Sequence, residues 1–312
     1  MTEDKNPMLL SKNCSSGEGA VTTRLDYLRI ALNLSGCILQ VVAGYLPQLG
    51  VGRPIGKTPY TVKSQPAGVA FSIWGLIFPL CIMYGIYQAL PAQHTSPLLR
   101  RIGIFSAVAF YETIQWSLIA ILGAPADDDV YNEWIVYEWI LSLTLFYGIA
   151  TPLNCILYTL LQNHDKNSSY RVIPQKEYFF VVLPLSIFAA WTTLASFVNI
   201  AGALLVSGVS NFNRTNVGQE GSTAYLCCVG ILIITLIHTY KGLLPFSCVV
   251  IWAYAWIAQV NFASGYRQVG VTASVFTVLF AGVVFGSKWW WGRKDSLART
   301  AAALPHFIVA AQ

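Results

Sequence analysis

Apolar stretches of membrane-crossing length recur along this chain, separated by short polar segments. They occupy residues 28–46, 69–90, 102–122, 135–161, 179–206, 224–240, 243–261 and 269–287. About 20 consecutive apolar residues cross a hydrocarbon layer as one helix. Backbone groups left bare in hydrocarbon rule out open strands, so each stretch is expected to be helical. The pattern predicts an all-α fold: a polytopic membrane helical bundle of about eight transmembrane helices. The sixth and seventh stretches are separated by little more than Lys241-Gly242, which predicts a tight helical hairpin. Pro79, Pro152, Pro184 and Pro245 lie in or beside the stretches, where proline kinks a helix or starts one. The expected organisation is a polar N-terminal segment 1–27, a transmembrane domain 28–290 and a short basic and apolar tail 291–312.

Composition agrees. Of 312 residues, 55% are hydrophobic and 11% charged, with mean hydropathy +0.55, whereas an ordinary soluble domain carries about 25% charged residues. The first residues lack the short apolar core of a signal peptide, so no cleavage is expected. With no import signal or lipid anchor visible, the expected location is the endoplasmic reticulum or another internal membrane. The seven cysteines are scattered without metal-ligand spacing and read as small buried side chains.

Charge sets an expected orientation. Eight spans leave 14 of the 19 Lys and Arg on the side of the two termini, which predicts that both termini are cytoplasmic. The acidic run Asp127-Asp128-Asp129 then falls on the opposite side. So does Asn213 in Asn213-Arg214-Thr215, a glycosylation acceptor pattern.

Within the spans a few polar side chains stand out. Glu112 lies in the middle of the third stretch, with Gln115 and Trp116 at i+3 and i+4 on one expected face. An intramembrane acid is costly and usually faces the bundle interior. It serves either as a hydrogen-bonding staple between helices or as a general acid. Glu138, in Tyr137-Glu138-Trp139, is a second candidate near the lumenal end of the fourth span. On the fifth span Trp191, Ala195 and Asn199 share a face, where Asn199 reads as a helix contact or a ligand contact. On the seventh, Trp252, Trp256 and Gln259 form a stripe, and the second adds Phe71, Trp74 and Phe78. Trp74, Trp116 and Trp256 sit inside their spans, as an aromatic wall for a flat apolar ligand or a cation requires.

Other chemistry is excluded by pattern. The four histidines lack zinc-hydrolase spacing, and no phosphate loop or dinucleotide fingerprint is present. Asp127-Asp128-Asp129 is a solvated charge run rather than a spaced magnesium-binding motif. No metal, no organic cofactor and no nucleic-acid partner are expected. The expected partners are the lipid bilayer and a hydrophobic, isoprenoid-like small molecule.

PAGVAFSIWGLIF (Pro66 to Phe78) resembles the opening of the tryptophan-rich sensory protein group, relatives of the translocator protein. The likeness continues in SPLLRRIG (Ser96 to Gly103), LPLSIFAAWTTLASFVNIAGALL (Leu183 to Leu205) and, more loosely, WAYAWIAQ (Trp252 to Gln259). It implies a helical bundle with an aromatic cavity for hydrophobic ligands such as sterols or porphyrins. Translocator proteins are shorter with fewer spans, and this group's third span is expected to carry a neutral amide-and-tryptophan pattern where this chain has Glu112. An acid among aromatic walls also resembles the small membrane-bound terpene cyclases of fungal meroterpenoid pathways, of the ascofuranone type. That likeness implies an isomerase in secondary metabolism, with Glu112 as general acid and Glu138 as second acid or base. Trp74, Gln115, Trp116, Trp191, Asn199, Trp256 and Gln259 would then line the substrate site. The alternative is a non-enzymatic binder, sensor or transporter of a hydrophobic ligand, in which Glu112 is structural.

Overall fold

A computed structural model of the chain describes residues 21–53, 62–125, 131–162, 173–208 and 218–309. All elements among them are helical, and eight helices are long and apolar enough to cross a membrane. They are α1 (Arg24–Leu49), α2 (Gly68–Ala89), α3 (Phe105–Leu122), α4 (Asn132–Leu161), α5 (Gln175–Val206), α6 (Gln219–Thr239), α7 (Leu244–Ala263) and α8 (Arg267–Val309). Each coincides with an apolar stretch of the sequence, with ends displaced by a few residues except at the C-terminal end of α8. The chain is therefore an integral, multi-pass membrane protein. α8 runs unbroken past position 290, so the expected boundary between membrane domain and tail is not an element boundary. Asn213 and Asp127-Asp128-Asp129 lie outside the described residues.

Prolines shape two of the helices, for one physical reason. Pro152 and Pro184 cannot donate to the carbonyls of Gly148 and Phe180 four residues earlier. In both places the helix widens to π geometry just upstream, over Thr144–Ala150 in α4 and Tyr178–Val182 in α5. Such widening is one way a helix absorbs a missing donor. The Thr151 hydroxyl reinforces the wider turn by donating to the Phe146 carbonyl at 2.8 Å. Pro245 instead sits in the first turn of α7, where it costs no hydrogen bond.

α5 is the centre of the bundle: 78% of its apolar stretch is buried, against half or less for every other span. It packs against α2, α4 and α7, while α1 lies between α2 and α3 on the outside. α8 packs along both α6 and α7. The α6–α7 connection is tight, as expected, with Lys241 and Gly242 both left-handed at φ 56 and 70°. Gly242 takes that geometry without strain and donates to the Ile237 carbonyl at 2.9 Å, which caps α6.

Polar side chains tie the helices together at the end where α1 begins. Asp26, in the first turn of α1, accepts from Arg29 and from both Nε and an Nη of Arg100 in the α2–α3 connection. Deeper, Asn33, Ser106 and Tyr84 hydrogen-bond in sequence and join α1, α3 and α2. Asn154 of α4 donates to Thr193 of α5 and accepts from the Tyr240 hydroxyl at the end of α6. These hydrogen-bonded groups read as structural ties, since buried polar groups are normally paired.

Candidate functional site

At the opposite end of the bundle the helices surround a cavity of about 110 Å³. Its walls come from the start of α2, the end of α3, the start of α4, the end of α5, the start of α6 and the end of α7. Val62, Ser64, Gln65 and Pro66, in the connection ahead of α2, cover it. Asn261 of α7 holds this cover by donating to the Lys63 carbonyl at 2.8 Å.

Aromatic rings dominate the walls. Phe71 stands edge-on to Trp191 at 5.3 Å between centroids, and Trp74 stands edge-on to Phe188 at 6.1 Å. Tyrosines brace the helices around the space through their hydroxyls. Tyr137 donates to Ala120 across α4 and α3, Tyr225 to Phe197 across α6 and α5, and Tyr254 to Leu226 across α7 and α6. Trp139 adds a bond from its indole nitrogen to Ser207 at 2.9 Å, which fixes the start of α4 against the end of α5.

Four donors in this wall differ from all of these. The indole nitrogens of Trp116 and Trp191, the amide nitrogen of Asn199 and the hydroxyl of Ser64 are buried and have no hydrogen-bond partner among the described residues. A buried, unpaired donor costs about 1–3 kcal/mol. Four around one cavity mark a surface complementary to a molecule with acceptor atoms. Glu138 adds a carboxyl group to the same wall and is only 4% exposed.

The structure thus brings Trp74, Trp116, Glu138, Trp191 and Asn199 to one cavity, and leaves the other candidates outside it. Glu112, Gln115 and Trp116 do not share a destination. Successive residues on a helix turn by about 100°, so Gln115 and Trp116 point far apart. Trp116 enters the cavity and Gln115 lies on the outer surface. Glu112, between them, packs against Gly148 of α4, where an added Cβ would sit 2.8 Å from its Cγ and Oε2. The expectation that Glu112 faces an interior pocket is corrected by this placement. On α7 the inward positions are Ala253, Tyr254 and Ile257. Trp256 pairs instead with the half-exposed Trp252 at 5.4 Å, and Gln259 lines a separate open groove between α7 and α8.

Sequence reasoning passed over Tyr137, Tyr225 and Tyr254 as cavity residues, and over the cover at Ser64 to Pro66. Tyr137 had a visible signal, since it neighbours Glu138. The cover had none beyond its position ahead of a span. Among the described residues no group of three His, Cys, Asp or Glu side chains could hold a metal ion.

Residues 31–286 match the family model described as TSPO-like protein. No curated protein and no solved structure matches the chain.

Proposed function

From the premise that the chain belongs to the TSPO-like protein family, we propose that the cavity binds an apolar, membrane-soluble small molecule bearing at least one hydrogen-bond-accepting oxygen. The observation that carries this reading is the set of donors on Trp116, Trp191, Asn199 and Ser64 that have no hydrogen-bond partner among the described residues, in a largely apolar, aromatic wall. An aromatic, largely apolar site with a few convergent polar groups is how proteins bind such ligands. Oxygenated isoprenoids, sterols and porphyrin carboxylates all supply acceptor oxygens at the edge of an apolar body, and a cavity of about 110 Å³ takes up one end of such a molecule rather than the whole. The protein would sit in an internal membrane with both termini cytoplasmic. Cell fractionation and protease protection of terminal tags test that placement.

Titration of purified protein in lipid nanodiscs with a sterol, a porphyrin and a prenylated phenol tests the binding reading. Saturable binding of one class, weakened about 5–10-fold by Asn199→Leu, supports it. Absence of saturable binding by all three, or indifference to Asn199→Leu and Trp116→Phe together, refutes it.

Glu138 favours a second reading, in which the bound molecule is also cyclised. The acid suited to that chemistry is Glu138 rather than Glu112, because only Glu138 lies on the cavity wall. On an epoxidised prenyl chain, the protonated carboxyl would transfer its proton to the epoxide oxygen as a carbon–oxygen bond breaks. A neighbouring alkene or hydroxyl supplies the electron pair for the new ring bond. Loss of a proton from the closing centre neutralises the product and restores the acid, so the net change is an isomerisation. The rings of Trp74, Trp116 and Trp191 present faces able to stabilise the intervening positive charge. Microsomes expressing the protein and supplied with prenylated phenol epoxides test this reading. Cyclised product that disappears in Glu138→Gln while ligand binding persists supports it. If the unaltered protein makes no cyclised product, the cyclase reading fails and the binding reading stands.

A further inference from the structure

The last helix outruns the membrane. α8 (Arg267–Val309) has 43 residues, which make about 64 Å of helix, whereas a hydrocarbon layer is about 30 Å thick. Its apolar stretch ends at position 287, and the next seven residues are Lys288-Trp289-Trp290-Trp291-Gly292-Arg293-Lys294. Trp289 is 61% and Trp290 47% exposed. Indole rings at the end of a span lie at the level of the lipid headgroups.

Cations are held at the level of these rings. The Arg293 guanidinium lies 4.9 Å from the centroid of the Trp289 ring, and the Lys294 ammonium lies 5.1 and 5.0 Å from those of Trp290 and Trp291. Ring and cation are three or four residues apart in each pair, so the long side chains fold back along the helix toward the membrane. Lys241, in the α6–α7 connection, reaches the Trp291 ring at 5.1 Å. Sharing one ring, the Lys241 and Lys294 ammoniums lie within about 10 Å of each other. Lys288 lies against the same connection, its Cγ 3.1 Å from where a Cβ at Gly242 would stand. The Trp291 indole nitrogen donates to the His238 carbonyl at 3.2 Å and fixes this part of α8 against the end of α6. Lys288, Arg293 and Lys294 are exposed and make no ion pair among the described residues. Four like charges at one corner of the bundle repel one another, and an anion placed there relieves the repulsion.

We propose that this corner binds the headgroup of an anionic phospholipid that carries a phosphate monoester, in the leaflet facing the α6–α7 connection. Charge complementarity names the occupant. A headgroup of one net charge leaves most of the four cations unmatched, whereas each phosphate monoester adds between one and two negative charges. The planar Arg293 guanidinium suits two-point contact with phosphate oxygens, and the lysines supply compact charges around it. Stacking on Trp289, Trp290 and Trp291 holds the cations in place before a lipid arrives, which lowers the ordering cost of binding. Basic clusters directly after a span attract acidic lipid by about fivefold in affinity per cation. A lipid fits better than a soluble anion because the cations are folded back to the depth of the indoles. This inference is independent of what the cavity binds.

The test uses the full chain in phosphatidylcholine nanodiscs. These are doped either with phosphatidylinositol bisphosphate or with enough phosphatidylserine to match its charge, and retained lipid is counted by native mass spectrometry. The unaltered protein should retain the bisphosphate lipid at least about fivefold over phosphatidylserine, and the triple variant Lys288→Gln/Arg293→Gln/Lys294→Gln should lower that retention at least about tenfold. Thermal unfolding checks that the triple variant is folded, as expected for three exposed positions. Arg101→Gln/Lys176→Gln, which removes two cations from other connections on the same side of the membrane, should leave retention unchanged. Equal retention of the two lipids, or an equal loss in this control variant, reduces the corner to general surface charge and overturns the proposal. Retention unchanged in the folded triple variant overturns it too. So does displacement of the lipid by an equal concentration of soluble inositol trisphosphate, which would assign the corner to a soluble anion.

Discussion

Replacing Trp191 with phenylalanine separates a ligand-binding indole from a packing indole. Trp191 is 2% exposed, lies on the central helix α5 and stands edge-on to Phe71 across the cavity wall. Its indole nitrogen has no hydrogen-bond partner among the described residues. Two effects of Trp191→Phe on stability oppose each other. Loss of the larger ring removes packing worth about 1 kcal/mol, and the substitution also removes an unpaired buried donor that costs about 1–3 kcal/mol. The ring already borders open space, so the packing loss stays small and stability should change by no more than about 1 kcal/mol. Binding responds differently. A ligand oxygen that accepts the indole N–H relieves the donor's penalty, and that relief is absent in the variant. Affinity should fall by about 1–2 kcal/mol, or about 5–30-fold. Thermal unfolding in nanodiscs, with and without a fixed excess of ligand, reads both quantities, because the stability a ligand adds follows the logarithm of its concentration over Kd. If the variant loses about 3 kcal/mol or more of stability while affinity is unchanged, Trp191 is a packing residue and the argument from unpartnered donors is wrong.

Other outcomes follow from close contacts elsewhere. Gly148→Ala places a methyl 2.8 Å from Glu112 Cγ and Oε2. It should destabilise the α3–α4 seam by about 1–3 kcal/mol, and Glu112→Ala in the same chain should recover most of the loss in a double-mutant thermal series. Gly230→Ala drives a Cβ into the Phe276 ring, where α6 meets α8. A loss of about 1–3 kcal/mol is expected, relieved by Phe276→Leu and read by unfolding in detergent. Asp26→Asn weakens the bonds to Arg29 and Arg100 that pin the start of α1, at 3.3 and 2.6 Å. Proteolysis near Arg24 should become faster while ligand binding in the distant cavity stays intact.

The eight helices were legible because a membrane imposes one strong constraint on sequence. Every crossing must satisfy its own backbone and present apolar side chains, so length and composition suffice to find it. The α6–α7 hairpin was equally plain from Lys241-Gly242. Helix α8 was harder to end, since its apolar pattern stops near position 287 while the helix continues to Val309.

The cavity was legible only in part. Trp74, Trp116, Glu138, Trp191 and Asn199 could be singled out as polar or aromatic residues inside spans, and the fold brings all five together. The same reasoning selected Glu112, Gln115, Trp256 and Gln259, which the fold sends elsewhere. In a soluble protein, the polar face of a helix marks the outside. In a membrane both the lipid-facing and core-facing sides are apolar, so periodicity loses its power to tell in from out. Glu112 was conspicuous in the sequence for its chemistry, and Glu138, near an interface, was the second candidate. Tertiary packing reverses their standing: α3 packs between α1 and α4 with Glu112 half-buried against Gly148, while α2 to α7 enclose Glu138 in a cavity lined by aromatic rings. The sequence by itself determined how many helices cross the membrane and which residues are chemically unusual. Only the tertiary structure decided which of those share a cavity, because helix rotation depends on neighbours that local sequence does not name.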